Sequence, residues 1–124
     1  KQLRPKADYD LSLSVLRQAK ELAPGVITKS SLMLGLGETQ ADVMETMRDQ
    51  RSCSCDILTL GQYLAPSKNH FPVREFLSPE QFEEYASLAK QMGFQAVASG
   101  PLVRSSYQAQ ALYGQCRDKR FQYV

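Results

Sequence analysis

Apolar residues recur with two different periods along this chain of 124 residues, and the change between periods predicts its elements. Near the start, apolar side chains recur every three or four residues, as on one face of a helix, and a Pro-Gly pair ends the run. These side chains belong to Leu11, Val15, Leu16, Ala19, Leu22 and Ala23. Shorter apolar segments at residues 26–34, 56–64 and 94–99 predict strands, and 56–64 is apolar enough for a strand covered on both faces.

Two further helices are predicted from residues that can cap a first turn. Thr39 can cap a helix over residues 39–51. Ser78 is followed by a proline at the first helical position and by Gln81, which is placed for a capping box. Gly93 is expected to end this helix, because glycine readily adopts the left-handed conformation found at helix ends.

A last helix is predicted from near Ser105 to Gly114, so helices and strands alternate along the chain. Such alternation implies an α/β fold with parallel strands and right-handed crossovers. We expect strands 26–34 and 56–64 to be parallel neighbours, with the helices on one face of the sheet. Three strands cannot close a barrel, and we expect partner strands that precede Lys1.

Composition and charge exclude several classes of protein. Hydrophobic residues make up 43% and charged residues 23%, which is ordinary for a globular domain and argues against disorder. The formal net charge of +2 is too small to indicate nucleic acid or an anionic membrane surface as a partner. Cys53, Cys55 and Cys116 have the spacing of neither a zinc site nor a redox pair, so we expect reduced thiols.

Candidate chemistry falls where the predicted strands end, because parallel α/β sheets bind ligands at the carboxyl ends of their strands. Residues 35–38, 62–73 and 99–107 lie there and hold the densest collection of Gly, Pro and polar residues. His70, the one histidine, falls in the second of these segments. It could contact a substrate, and the alternative is a solvated or structurally bonded loop histidine.

The first and third segments carry the candidate binding residues. Gly35 and Gly37 would let a ligand approach the backbone, with their N–H groups free to bind it. Glu38 could accept hydrogen bonds from a ribose or an amine; alternatively, it only favours the start of the next helix through its charge. Arg104 precedes two hydroxyls and a phenol, a mixture typical of anion or cofactor binding.

Residues 30–38, 59–64 and 98–107 read SSLMLGLGE, TLGQYL and ASGPLVRSSY. In order and spacing these segments closely resemble the lipoyl synthase family. The Arg-Ser-Ser-Tyr motif is highly specific to that family, whereas the Gly-Leu-Gly-Glu turn is similar to that of other radical S-adenosylmethionine enzymes. The resemblance runs from about Arg4 to Tyr113 and covers the C-terminal part of a full-length member.

The resemblance implies a fold, a chemistry and a partner. Members are radical S-adenosylmethionine enzymes with a partial (β/α)6 TIM-type barrel and two 4Fe–4S clusters, and they insert two sulfurs at C6 and C8 of a protein-bound octanoyl group. Residues 1–124 would be the C-terminal part of that barrel domain, with strands and helices in 1–103 and a motif and tail in 104–124. The implied partner is an octanoylated lipoyl-carrier protein domain or glycine cleavage H protein, with no nucleic acid and no membrane. A cytoplasmic location is favoured, and a mitochondrial one is the alternative.

The same resemblance assigns site residues. Gly35, Gly37 and Glu38 map to the turn that contacts S-adenosylmethionine. Arg104 would stand beside the auxiliary cluster and offer charge and donors to its sulfides. Ser106 is the implied serine ligand of that cluster, with Ser105 as the alternative, and no catalytic residue is assigned.

The chain departs from the family pattern in its cysteines. Both cluster-binding cysteine motifs are absent, and Cys53 and Cys55 do not replace them. We therefore expect the chain by itself to be catalytically inactive. Two alternatives are a fragment of a biotin-synthase-like radical enzyme, which shares the glycine turn, and a non-catalytic binding domain that retains the fold. The Arg-Ser-Ser-Tyr motif argues against the first.

Overall fold

A computed structural model describes residues 6–104 and 108–116, without the side chains of 6–9. Within these residues the elements in chain order are α1 (Lys6–Leu22), β1 (Lys29–Leu34), α2 (Gln40–Ser52), β2 (Ile57–Gln62), α3 (Pro79–Met92), β3 (Ala96–Ser99) and α4 (Ala109–Gly114). The predicted alternation is confirmed for this part of the chain. Residues 105–107, where the last helix was expected to begin, lie outside the described residues. Of the helices so described, none has the length and apolar character needed to cross a membrane.

The three strands form one parallel sheet in the order β1-β2-β3. Leu32 of β1 lies beside Leu60 of β2, which lies beside Ser99 of β3. The predicted parallel pairing of the first two strands is confirmed, and α2 supplies the crossover that parallel neighbours require.

The first strand is shorter than the predicted 26–34 and begins at Lys29. Just before it, the N–H of Thr28 donates to Asp56 Oδ2 at 3.0 Å. The Thr28 carbonyl accepts from the N–H groups of Asp56 and Ile57 at 3.1 and 3.0 Å. The chain is therefore already bonded to β2 here, partly through a side chain, before the regular ladder starts.

Alternate residues of a strand point to opposite faces, and the two faces of this sheet differ in what covers them. The first face, defined by Leu58 and Leu60 of β2, is covered by α2 and α3. Its core includes Leu34, Val43, Met47, Leu58, Leu60, Phe82, Tyr85, Ala89 and Phe94. Burial of these apolar side chains supplies the main stabilisation of the helix–sheet packing.

The second face, defined by Ile57 and Thr59 of β2, is covered in part by α4. Leu112 of α4 and Cys116 after it pack with Ile57 and Ala96. The prediction that the helices lie on one face is therefore wrong for α4. The physical reason is that β2 and β3 also carry apolar side chains on the second face, and these are stabilised by a cover that excludes water.

The predicted helix ends are confirmed. Thr39 Oγ1 accepts from the N–H of Asp42 at 3.1 Å, and Asp42 Oδ2 accepts from the N–H of Thr39 at 2.9 Å. That backbone hydrogen bond lowers the pKa of Asp42. Ser78 and Gln81 make the same reciprocal pair at α3, at 3.1 and 2.8 Å. Gly93 ends α3 with a φ of 105°, in the left-handed region.

Asp56, directly before β2, is 5% exposed and joins three segments at the amino end of the sheet. Its Oδ2 accepts from Lys20 Nζ of α1 at 2.6 Å and from the N–H of Thr28 at 3.0 Å. Its Oδ1 accepts from Gln95 Nε2, next to β3, at 2.9 Å. We call these four residues the amino-end cluster; it satisfies a buried carboxylate and fixes where the strands start.

All three cysteines are buried free thiols, which confirms the prediction of reduced cysteines. Burial raises the pKa of Cys55 to about 12, with the nearby charge of Asp56 adding to the rise. The pKa of Cys116 is raised by the same two causes. Cys53 Sγ accepts from Arg17 Nη2 at 3.3 Å, across from α1.

Candidate functional site

The candidate site lies at the carboxyl edge of the sheet, where three loops leave neighbouring strands. Because the strands are parallel and Leu34 is in register with Gln62, the loops that follow β1 and β2 emerge side by side. Leu60 is in register with Ser99, so the loop after β3 emerges two residues lower. The structure thus brings together the three segments that the sequence indicated.

The turn after β1 is closed by its own glutamate. Glu38 Oε2 accepts from the N–H of Gly35 at 2.8 Å, and Oε1 accepts from the N–H of Leu36 at 3.0 Å. The expectation that the Gly35 N–H is free for a ligand is therefore wrong, since the carboxylate three residues later folds back onto it. In exchange, the carboxylate itself is held in a fixed position, and each oxygen keeps a further lone pair.

Both glycines of this turn have positive φ, 105° at Gly35 and 109° at Gly37, which only glycine adopts readily. Their surroundings differ. A Cβ at Gly35 would lie 2.4 Å from both Gln62 Nε2 and the Glu75 carbonyl oxygen. A Cβ at Gly37 would have Arg74 Cγ at 3.7 Å as its nearest neighbour, so this side of the turn leaves room for a ligand.

The loop after β2, residues 63–77, returns to pack on the glycine turn. The Gly35 carbonyl accepts from the N–H groups of Arg74 and Glu75 at 2.8 and 3.2 Å. Tyr63 Oη donates to the Phe71 carbonyl at 2.7 Å, which holds the middle of the loop. The loop and the turn are therefore one bonded unit, a feature that the sequence pattern did not show.

Arg104 reaches the carboxyl edge from the segment after β3. The Val103 carbonyl oxygen would lie 2.1 Å from a Cβ at Gly61, so this segment crosses β2 where only glycine fits. Arg104 Nη1 donates to that carbonyl at 2.7 Å and to the Pro101 carbonyl at 3.4 Å. Gly61 shares the alternation of Thr59, so the half-buried guanidinium lies on the second face.

Two hydroxyls of the second face form a pair that sequence reasoning missed. Ser31 Oγ and Thr59 Oγ1 lie 2.6 Å apart on neighbouring strands, and Thr59 is 1% exposed. The available signal was Thr59, a polar residue within the apolar run of β2, but its pairing with Ser31 depends on a register that the sequence does not show. Together with Arg104 these hydroxyls make the second face polar towards the carboxyl edge.

Glu38 belongs to the other side of the edge. Its charge helps to raise the pKa of Tyr85, after the larger effect of burial, and Tyr85 packs in the first-face core. The structure therefore places Glu38 towards α3 and Arg104 on the second face. Both predicted binding residues reach the carboxyl edge, but they approach it from opposite faces.

His70 is exposed and its Nδ1 lies 2.8 Å from Ser67 Oγ. It lines a shallow depression formed by Ala65, Ser67, Lys68, His70, Pro72 and Val73. The ring is thus bonded within its own loop, and its contact with a substrate stays a prediction.

The donor sets decide which cofactors these residues fit. Within the described part of the chain, no group of three His, Cys, Asp or Glu could hold a metal ion, and the cysteines are buried away from the carboxyl edge. These residues therefore do not fit an iron–sulfur cluster. The fixed carboxylate of Glu38 and the open flank at Gly37 offer hydrogen-bond acceptors and room for a small polar ligand. Ser105 and Ser106, the predicted cluster ligands, lie outside the described residues.

The fold and these loops define a parallel α/β protein with its candidate ligand site at the carboxyl edge of the sheet. Comparison with known proteins makes the assignment specific, although no family model matches the chain. A lipoyl synthase of Caldanaerobacter subterraneus subsp. tengcongensis is 54% identical over 86% of the chain. Lipoyl synthases of Flavobacterium psychrophilum and Geobacter sulfurreducens are 60% and 59% identical over 89% and 90% of it. The chain belongs to the lipoyl synthase family, and the biotin-synthase-like alternative is not favoured.

The chain spans 37–38% of the length of these three relatives. The activity of a full-length member is therefore a property of a longer protein.

Proposed function

We propose that this chain is part of a lipoyl synthase, the enzyme that inserts two sulfurs at C6 and C8 of a protein-bound octanoyl group by radical S-adenosylmethionine chemistry. The observation that carries the proposal is the 54–60% identity to lipoyl synthases over 86–90% of the chain. In this proposal the three parallel strands are part of a partial (β/α)6 barrel. The polar second face and the carboxyl edge would then border the reaction space.

The carboxyl edge is the proposed S-adenosylmethionine site. When bound, S-adenosylmethionine supplies the radical that removes hydrogen from the octanoyl chain. Glu38, fixed by two backbone N–H groups, has lone pairs left to accept hydrogen bonds from ribose hydroxyls. Gly37 leaves room beside the turn, and Gly35 sets the turn's position through its packing on the loop after β2. Arg104, on the second face, is proposed to stand beside the auxiliary cluster and not at the S-adenosylmethionine turn.

Two further parts of the proposal come from the family resemblance. The substrate carrier is an octanoylated lipoyl-carrier protein domain or glycine cleavage H protein. Ser106 is the proposed oxygen ligand of the auxiliary 4Fe–4S cluster, with Ser105 as the alternative. In a full-length member, Ser106→Ala is expected to lose lipoyl product while it still cleaves S-adenosylmethionine, and Ser105→Ala is expected to keep both reactions.

The test uses a full-length protein that contains this segment, reduced anaerobically with S-adenosylmethionine and an octanoylated carrier domain. We expect lipoyl product on the carrier; its absence from a parent protein loaded with both clusters would overturn the proposal. Glu38→Gln is expected to weaken S-adenosylmethionine binding about tenfold, because an amide retains only one acceptor oxygen for the two N–H groups. Glu45→Gln, an exposed position on α2, is the matched control and should bind as the parent does.

A further inference from the structure

Gln62, the last residue of β2, is a buried polar residue that bonds both ends of the loop that follows it. It is 3% exposed, like the other buried residues of β2, although its side chain is polar. Its Nε2 donates to the Tyr63 and Glu75 carbonyls at 2.9 and 3.0 Å. Its Oε1 accepts from the N–H of Leu77 at 3.0 Å. All three contacts are to backbone, so the amide holds the two ends of loop 63–77 together.

The same amide lies directly against the glycine turn. A Cβ on Gly35 would lie 2.4 Å from Gln62 Nε2 and equally close to the Glu75 carbonyl. The Gly35 carbonyl in turn accepts from the N–H of Glu75 at 3.2 Å and that of Arg74 at 2.8 Å. Gln62 therefore fixes Glu75, Glu75 bonds Gly35, and Gly35 begins the turn that carries Glu38. A shift of the amide would be transmitted to the Glu38 carboxylate through three hydrogen bonds.

We propose that Gln62 is a positioning residue for the ligand at the carboxyl edge. Through the backbone of loop 63–77, Gln62 fixes the position of the turn from which Glu38 would bind S-adenosylmethionine. This inference rests on the proposed function of that turn. The loop is also longer than most connections between a strand and a helix, and loops of this length are commonly functional. Displacement of the Glu38 carboxylate would lengthen its hydrogen bonds to the ligand, so the fixed amide next to the turn affects the affinity for that ligand.

The test replaces the amide with its isostere. Gln62→Glu keeps an oxygen for the N–H of Leu77 but sets an oxygen against two carbonyl oxygens in place of the donor. In a full-length, cluster-loaded lipoyl synthase that contains this segment, we expect the S-adenosylmethionine Kd from calorimetry to rise about tenfold. We expect KM for S-adenosylmethionine to rise with the Kd, while kcat at saturation stays within about twofold. This pattern differs from that of a folding defect, because loss of folded protein would lower the apparent kcat and leave KM unchanged.

The matched control is Gln50→Glu. Gln50 is also a buried glutamine, 7% exposed, but its Nε2 donates to Ser30 Oγ near the amino end of β1. It should lower the thermal midpoint and leave the Kd unchanged. Gln62→Met, which has the right length and no polar atoms to repel the carbonyls, serves if the glutamate variant does not fold, with the same expected rise in Kd.

The outcomes separate the two proposals. A parent protein that does not bind S-adenosylmethionine overturns the proposed function. A parent that binds it while Gln62→Glu and Gln62→Met bind equally well overturns the positioning role alone. A rise in Kd of the same size in Gln50→Glu also overturns it, because the effect would then be general destabilisation.

Discussion

Cys55 lies between strand backbones, with its Sγ 3.8 Å from the Thr28 carbonyl oxygen and 3.4 Å from that of Ile57. With a pKa of about 12, roughly one molecule in ten thousand carries the thiolate near pH 8. Since the thiolate is the reactive form, we expect iodoacetamide to leave Cys55 unmodified in a native full-length protein. Peptide mass spectrometry measures the modification, with a urea-unfolded sample as control. Equal labelling of the native and unfolded samples would contradict the burial described here.

Glu38 shows how far single residues can be read from sequence. Its place after a predicted strand was enough to predict a turn at the carboxyl edge, and binding by that turn stays a prediction. Its closure onto the Gly35 N–H could not be predicted, because a carboxylate three residues after a glycine can equally face solvent, a ligand or a helix start. Gln62 was harder still, since its partners at Glu75 and Leu77 are 13 and 15 residues away.

At the scale of elements, the capping box of α3 determines how loop 63–77 enters the helix. Ser78→Ala removes the acceptor for the Gln81 N–H, at 3.1 Å in the parent, and is expected to lose about 1 kcal/mol of stability. For a protein of this family's size the thermal midpoint should fall by about 2–4 °C. Ser87→Ala, at an exposed position in the same helix, is the control and should change it little or raise it slightly. A fall no larger than that of the control would show that the cap is not stabilising.

Helix ends were predicted closely and strand starts were not, for a physical reason. Caps are local: Thr39 meets Asp42 and Ser78 meets Gln81, each three residues away, so sequence spacing contains the information. The start of β1 depends instead on Thr28 bonding Asp56, 28 residues away. An apolar pattern cannot show such a contact, so the strand predicted from that pattern began before Lys29.

At the scale of the whole molecule, the alternation of elements predicted the parallel sheet but not the position of α4. The position of α4 on the second face depends on the packing of Leu112 against Ile57 and Ala96, which are far away in sequence. Helices α2 and α3 lie within crossovers between parallel neighbouring strands, and the right-handedness of such crossovers restricts the face on which they pack. Within the described sheet α4 does not connect two strands, so the apolar positions of both partners determine where it packs.

The amino-end cluster gives a prediction at this scale. Asp56→Asn replaces the carboxylate that Lys20, Thr28 and Gln95 share and leaves a partly buried ammonium without its counter-charge. We expect a loss of about 3 kcal/mol, since removing one member of a buried ion pair costs much more than the pair contributes. Thermal or urea unfolding of the full-length protein measures it. The control is Glu45→Gln, an exposed carboxylate on α2, and a loss equal to that control would refute the role of the cluster.

The amino-end cluster also makes the two ends of the sheet differ in their expected rates of amide hydrogen exchange. The amides around Asp56 are buried, and its own carbonyl accepts from the N–H groups of Gln95 and Ala96 at 2.8 and 3.3 Å. Loop 63–77 is mostly exposed, so it can open locally without breaking the opposite end of the sheet. Deuterium should therefore enter peptides of that loop long before it enters residues 55–60. Uniform exchange across both segments would mean that the two ends open as one unit. The expected gradient leaves the amino end of the sheet rigid while the loop at the carboxyl end opens.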